Sequence, residues 1–256
     1  MSIKILCLDL DGTLYLDQRL YPGVLETLEA LRKKYRIIFV TNTTSRLASE
    51  ICSEINSLGI PAQPDELYTA SRAAREFLCL RGDQSGILLA PPRILTDYTW
   101  FKQDPEGRSV LIADEGYGTT FEDLHRPFSI LMRPGTSFYT LQKNRYFSKQ
   151  GSLRLDMGPL TAALEYASNR EATILGKPSR QLFELIAKNY SVELSEMAMV
   201  GDDLEFDVLL PKKLGLCGIL VKTGKYLPEQ ALKTSALYSV RADHELERFS
   251  DLAGIL

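Results

Sequence analysis

Two carboxylates stand two positions apart in Asp9-Leu10-Asp11-Gly12-Thr13, directly after the apolar run IKILCL (3–8). A second acidic group, Gly201-Asp202-Asp203 with Asp207 one helical turn beyond, follows the apolar run MAMV (197–200). Thr41-Asn42-Thr43-Thr44-Ser45 follows RIIFV (36–40), and Gly176-Lys177-Pro178-Ser179 follows ATIL (172–175). Together the four stretches carry five carboxylates, several hydroxyls and one lysine. Clustered carboxylates repel and shift one another's proton affinity unless a cation sits among them. Every ligand here is a hard oxygen, with no thiolate or imidazole close by in sequence. Such a set suits Mg2+. Hydroxyls, loop N–H groups and a lysine suit a phosphate group. The chemistry that fits is phosphoryl transfer. A carboxylate on the first strand attacks phosphorus and forms an aspartyl phosphate. A second carboxylate protonates the leaving oxygen and later deprotonates the attacking water. Mg2+ and Lys177 offset the charge on the equatorial oxygens.

These stretches need rigid elements to position them. IKILCL, RIIFV, ATIL, MAMV and CGILV (217–221) are aliphatic on both faces, as buried parallel strands are. GVLETLEALRKK (23–34) repeats leucine at helical spacing, and LASEICSEINSLG (47–59) aligns Leu47, Ile51, Ile55 and Leu58, with Gly59 as a stop. SRQLFELIAKNY (179–190) and FDVLLPKKLG (206–215) read as further helices, with Pro211 expected to shorten or kink the latter. Strand–helix alternation predicts an α/β fold with a Rossmann-like parallel sheet, covered on both faces. Ligands bind such a sheet at the carboxyl ends of its strands. Alternation along the first strand would put Asp9 and Asp11 on one face. Gly12 would then let the chain turn away sharply.

The middle of the chain differs. Turn signals gather at APPR (90–93), DPEG (104–107), RPG (133–135) and KQGS (149–152). GILLA (86–90), SILM (129–132) and SFYTL (137–141) read as strands of a second sheet, with EDLHRPF (122–128) and PLTAALEYA (159–167) as covering helices. The expected organisation is a discontinuous core, 1–70 and 171–256, interrupted by a smaller α/β domain over 71–170.

Bulk properties narrow the function classes. The chain has 256 residues, with hydrophobic content of 45% and a net charge of −3. No basic excess favours nucleic acid or an anionic membrane as a partner. No apolar run approaches the roughly 18–20 residues needed to span a bilayer, and no signal-peptide pattern opens the sequence. A cytoplasmic location is expected. Cys7, Cys52, Cys79 and Cys217 are scattered in apolar contexts, as reduced buried thiols are. With His125 and His244 as the two histidines, a His-rich metal site or a Ser–His–Asp triad has little support. His125 reads as solvated or packed, and Trp100 and Phe101 as core of the inserted domain. LQKNRYFSKQG (141–151), basic with two aromatics, reads as a solvated edge or as the lining of a substrate entrance.

D-L-D-G-T, V-T-N, G-K-P-S and G-D-D-x-x-x-D resemble the four motifs of the haloacid dehalogenase superfamily, in its phosphatase branch. The resemblance implies Asp9 as nucleophile and Asp11 as general acid/base. It implies Thr41, the Asn42 backbone and Lys177 as phosphate ligands. Mg2+ would be held by Asp9, the Asp11 backbone and Asp202. Asp203 and Asp207 remain either auxiliary acids or first-turn acids that complement a helix dipole. The stretch between Asp11 and Thr41 is used up by one helix and one strand, while the long gap from Thr41 to Lys177 has room for a cap. That spacing resembles subfamily IIA, the N-acetylglucosamine-phosphate and nitrophenyl-phosphate phosphatases among them. The stretches GSLRLDMGPLTAALEYASNREATILGKPS (151–179), MVGDDLEFDV (199–208) and GILVKTGKY (218–226) most resemble the hydrolase domain-containing protein 2 group. Two places depart from the pattern: Asp156-Met157-Gly158 where a G-x-G turn is usual, and Leu209-Leu210-Pro211 after the fourth motif. The function implied is Mg2+-dependent hydrolysis of a small phosphorylated metabolite, with a possible homodimer through the cap. The competing expectation is a catalytically weak or inactive binding or scaffold protein on the same fold. Asp11 must gain and lose a proton, so its side chain is not expected on the metal.

Overall fold

The computed structural model describes residues 2–114, 119–149 and 152–256. The chain divides into two compact units, one of Met1–Thr41, Ser49–Tyr68 and Lys177–Leu256, the other of Asn42–Ala48 and Thr69–Gly176.

The first unit is built on a six-stranded sheet. Its order is His244–Leu246, Cys217–Val221, Met197–Gly201, Ile5–Leu8, Arg36–Thr41 and Leu67–Thr69. Ile5–Leu8 pairs in parallel with both neighbours, Ile5 against Met197 and Arg36, Leu8 against Val200 and Phe39. Every residue of this strand is buried. A strand covered on both faces has no solvent side, so its sequence is an unbroken apolar run rather than an alternation. The helix Val24–Arg32 buries Val24, Thr27, Leu28 and Leu31, and Ala48–Ser57 buries Ile51 and Ile55. Val24, Leu28, Leu31, Ile51 and Ile55 join Leu6, Leu8, Phe39, Val200 and Ile219 in one core cluster. Each such aliphatic side chain contributes about 1.5–3 kcal/mol by leaving water.

The second unit has its own five-stranded parallel sheet, ordered Thr173–Ile174, Ser137–Thr140, Ser109–Ile112, Ser85–Leu89 and Lys102–Gln103. The helices Ala70–Arg81, His125–Leu131 and Met157–Ser168 supply Leu78, Leu131 and Leu164 to a separate core. An antiparallel pair, Tyr146–Lys149 with Ser152–Leu155, completes it.

Several elements differ from the sequence expectation. SILM (129–132) is mostly helix, because Ile130 and Leu131 continue the helix that begins at His125. A run of four apolar residues has no period by which to distinguish strand from helix. ATIL (172–175), expected in the first sheet, instead pairs with Ser137–Thr140 in the second. Its composition suits either sheet, and the partner is a long-range matter. The helix Ala70–Arg81, unanticipated in the sequence, is capped by Thr69, whose hydroxyl accepts from Arg72 N at 3.1 Å. In 206–215, a wide π-type turn over Leu204–Leu209 precedes a short α-helix, Leu210–Leu214. Pro211 falls in the first turn of that helix, where its missing N–H interrupts no bond. Lys177-Pro178 likewise precedes the next helix, which starts at Arg180 under a Ser179 cap. Cys79 is exposed rather than buried, while Cys7 is buried. His125 is exposed, 3.7 Å from Glu122, and Phe101 belongs to the second unit's core with Trp100 packed against it. Of the 141–151 stretch, Gln150 and Gly151 lie outside the described residues. Within it, Lys143 is ion-paired to Glu165 at 2.9 Å. No helix among the described residues is long and apolar enough to cross a membrane.

A half-buried ion pair ties helix Val24–Arg32 to the turn that launches strand Leu67–Thr69. Arg32 donates to both Glu66 oxygens, at 2.7 and 2.9 Å, and Gln63 N donates to Glu66 Oε2 at 3.1 Å. Burial alone would raise the Glu66 pKa, but the hydrogen bonds from Arg32 and Gln63 outweigh it and hold the carboxyl below its ordinary value. The folded pKa is the depressed one, so this stability is present above the unfolded value and is lost as pH falls through the folded value. Glu66→Gln is expected to lower stability at neutral pH by about 1–3 kcal/mol. The difference from wild type should shrink below about pH 5. Urea melts of the two proteins at neutral and acid pH check this.

Candidate functional site

Pairing of Ile5–Leu8 with Met197–Gly201 brings two carboxylate-bearing loops to one edge of the sheet. The ladder runs one residue past the strand, with Asp9 N donating to Val200 O at 2.9 Å. The regular strand stops at Leu8. Beyond it Leu10 O accepts from Thr13 N at 3.2 Å and from Leu14 N at 2.9 Å, and Gly12 has a left-handed φ of 86°. Asp11 lies in this turn, past the end of the regular strand. Its side chain is exposed, and its backbone forms an isolated bridge with Tyr15.

Four ionisable groups meet below this turn. Asp9, Asp202, Asp207 and Lys177 are 7%, 1%, 2% and 4% exposed. Lys177 Nζ contacts Asp9 Oδ1, and lies 2.8 Å from Asp207 Oδ1. Asp9, Asp202 and Asp207 each place one oxygen within 4.8 Å of the others. Thr13 Oγ1 lies 3.2 Å from Asp9 Oδ2 and 3.4 Å from Asp202 Oδ1, so its single proton is shared between two carboxylates.

The electrostatics follow from that crowding. Burial first, and then the Asp9 charge, push the Asp202 carboxyl up to about 7. Burial pushes Asp207 up to about 8; Lys177 pulls the other way, while Asp9, Asp203 and Asp202 add to the rise. Burial also disfavours the Lys177 ammonium, but attraction to Asp207 and Asp9 outweighs it and holds the pKa above the ordinary lysine value. The Lys177 ammonium meets two of the three buried carboxylates, and the Lys225 ammonium, 3.5 Å from Asp203, is attracted to the group as well. The donor set fits a hard divalent cation, because such an ion would let all three ionise.

The other candidates are placed as follows. Thr41 is buried at the end of strand Arg36–Thr41. Asn42 belongs to the second unit, where a Cβ on Gly176 would come within 2.6 Å of Asn42 Oδ1. Asp203 is an N-cap, its side chain accepting from Phe206 N at 3.1 Å. The Asp203 backbone N–H donates to Asp207 Oδ2 at 3.3 Å, so Asp207 is held from both sides. Asp207 itself lies in the wide turn Leu204–Leu209, a kind of turn frequent at functional sites. The sequence reading gave no role to Thr13, Thr223 or Lys225. Lys225 N donates to Asp202 Oδ2 at 2.6 Å, and Thr223 Oγ1 donates to Gly12 O at 2.5 Å. A Thr-Gly pair just past an apolar strand was the available signal for the last two.

Comparison with known proteins bears on the same residues. Residues 6–97 match the family described as haloacid dehalogenase-like hydrolase, and residues 174–252 match the family described as HAD-hydrolase-like. Haloacid dehalogenase-like hydrolase domain-containing protein 2 of Homo sapiens is 34% identical over 88% of this chain and 86% of its own length. Phospholysine phosphohistidine inorganic pyrophosphate phosphatase of Bos taurus is 28% identical over 100% of this chain and 94% of its own. The crystal structure of 4-nitrophenylphosphatase from Thermotoga maritima superposes with a TM-score of 0.87 at 30% identity, covering 98% of this chain and 97% of that one. The matched segments contain both carboxylate loops and Lys177, and the likeness extends over nearly the whole length. The chain belongs to the haloacid dehalogenase-like hydrolase family.

Proposed function

We propose that this protein is a Mg2+-dependent phosphatase that hydrolyses the phosphate monoester of a small metabolite through an aspartyl phosphate. The observation that carries this reading is the buried meeting of Asp9, Lys177, Asp202 and Asp207 at the carboxyl edge of a parallel sheet. The name of the Thermotoga maritima relative agrees with it.

In this mechanism Asp9 stays ionised and attacks phosphorus, forming the acyl phosphate while the ester P–O bond breaks. Asp11 gives a proton to the departing alkoxide and then takes one from the water that hydrolyses the acyl phosphate. Its exposed position supports that role, since proton exchange with solvent is open to it. Asp9, the Asp11 backbone carbonyl and Asp202 would hold Mg2+, which supplies positive charge against the phosphoryl oxygens when bound. Lys177, the Thr41 hydroxyl and the Asn42 N–H hold the transferring group. An ammonium fixed before the reaction stabilises developing charge without reorganising. Asp207 keeps Lys177 aimed at that position, and Asp203 holds the turn that carries Asp207. The second unit, as a cap, is assigned the selection of a compact substrate.

Release of 4-nitrophenol from 4-nitrophenyl phosphate in the presence of Mg2+ tests the reading. Wild type should turn over, and Asp9→Asn should lose at least about 10³-fold in kcat. No turnover by wild type, or turnover unchanged in Asp9→Asn, would reject it. Lys177→Met is expected to lower kcat/KM by about 10²–10³-fold, measured in the same assay at saturating Mg2+.

Asp11 and Asp202 are separable by a binding measurement. Asp11→Asn should lower kcat while leaving the Mg2+-induced rise in melting temperature intact. Asp202→Asn should remove that rise, and chelation with EDTA should reproduce its loss of activity in wild type. A thermal shift lost equally in both variants would place the Asp11 side chain on the metal.

A further inference from the structure

Strand Cys217–Val221 lies beside Met197–Gly201, with Leu220 paired to Gly201. The residues that follow it, Lys222-Thr223-Gly224-Lys225, therefore leave the sheet next to Asp202. The loop is tight: Thr223 N donates to Val221 O, and Tyr226 N to Thr223 O, each at 2.9 Å. Lys222 anchors its start through Glu245 at 3.3 Å and Glu247 at 3.1 Å.

This loop treats the two oxygens of Asp202 differently. Oδ2 accepts from Lys225 N at 2.6 Å. It is also boxed by two glycines. A Cβ on Gly224 would lie 2.0 Å from Oδ2, and a Cβ on Gly12 would lie 2.3 Å from it. Both glycines have left-handed φ values, 50° and 86°. Each wall of the box therefore needs a residue without a side chain. The walls come from different loops, one after the first strand and one after strand Cys217–Val221. The Thr223 hydroxyl joins them by its 2.5 Å bond to Gly12 O. Oδ1 faces the other way, 3.4 Å from Thr13 Oγ1 on the side of Asp9. A carboxylate otherwise turns readily about its terminal torsion. Here one oxygen is gripped and the other is presented.

We propose that the Thr223–Lys225 loop is a positioning clamp for Asp202, and that Thr223 is the positioning residue that locks it. The clamp fixes Oδ2 between Gly12, Gly224 and the Lys225 amide, so that Oδ1 is offered to the cation at a set angle. This rests on Asp202 being a Mg2+ ligand. Outer partners of this kind orient the ligand and change metal affinity by about 10–100-fold when removed.

The test measures Mg2+ binding by calorimetry on the full chain without substrate, alongside steady-state kinetics with 4-nitrophenyl phosphate. Thr223→Val is expected to weaken Mg2+ binding by about 10–100-fold. Its KM at saturating Mg2+ and its melting temperature in EDTA should stay near wild type. Thr223→Ser, which keeps the donor, should restore Mg2+ affinity. Gly224→Ala should weaken binding further by pushing on Oδ2. If Gly224→Ala fails to fold, the Thr223 pair decides. Unchanged Mg2+ affinity in Thr223→Val, or no rescue by Thr223→Ser, overturns the clamp; loss of Mg2+ binding in Asp202→Asn would then leave the metal reading standing. A wild type that takes up no Mg2+ overturns both.

Discussion

Lys177 brings an ammonium into contact with Asp9 and Asp207, and Asp202 lies alongside them, all in a place from which water is largely excluded. Three buried carboxylates outnumber the one ammonium in contact with them, and such crowding costs stability. Removing ions from water costs several kcal/mol each, and like charges add to it. The fold tolerates it because the backbone leaves little choice. Asp9 is fixed by a ladder bond to Val200 O, and both its own strand and the neighbouring Met197–Gly201 are buried along their whole length. The imbalance also explains the supporting polar groups. Thr13 shares its proton between two carboxylates, the Lys225 amide serves a third oxygen, and the Asp203 amide serves Asp207. These donors reduce the excess charge without removing it, which leaves the group ready for a cation.

The parts legible in the sequence were those whose cause is local. IKILCL, RIIFV and MAMV read as strands because burial on both faces removes any polar alternation. Helices Val24–Arg32 and Arg180–Tyr190 read as helices because their apolar residues keep one stripe. What escaped had a non-local cause. ATIL finds its partner in Ser137–Thr140, and nothing in four aliphatic residues names that partner. SILM is helical because it continues a turn begun at His125.

The site divides along the same line. Asp9, Lys177 and Asp202 stood out as charged residues immediately after apolar runs, and the structure brings them together. The turn at Gly12 was legible as well, because a glycine directly after two carboxylates marks a left-handed position. Lys225 was invisible because it acts through a backbone N–H, which nearly every residue has. Gly224 was invisible because its reason is a carboxylate far away in the chain.

Asp9 and Lys177 are 168 positions apart, and strand Ile5–Leu8 has its second neighbour at Met197–Gly201. During synthesis the early strand can pair with Arg36–Thr41 long before Met197 exists. Its other edge stays unsatisfied until most of the chain has been made. An uninterrupted apolar strand with one open edge is a template for pairing with other chains. Contacts of such long range also slow folding. The centre of the sheet, the most protected part of the finished molecule, is thus its most vulnerable part while the chain is being born. Holding that strand until its second partner arrives is a task for whatever attends the nascent chain.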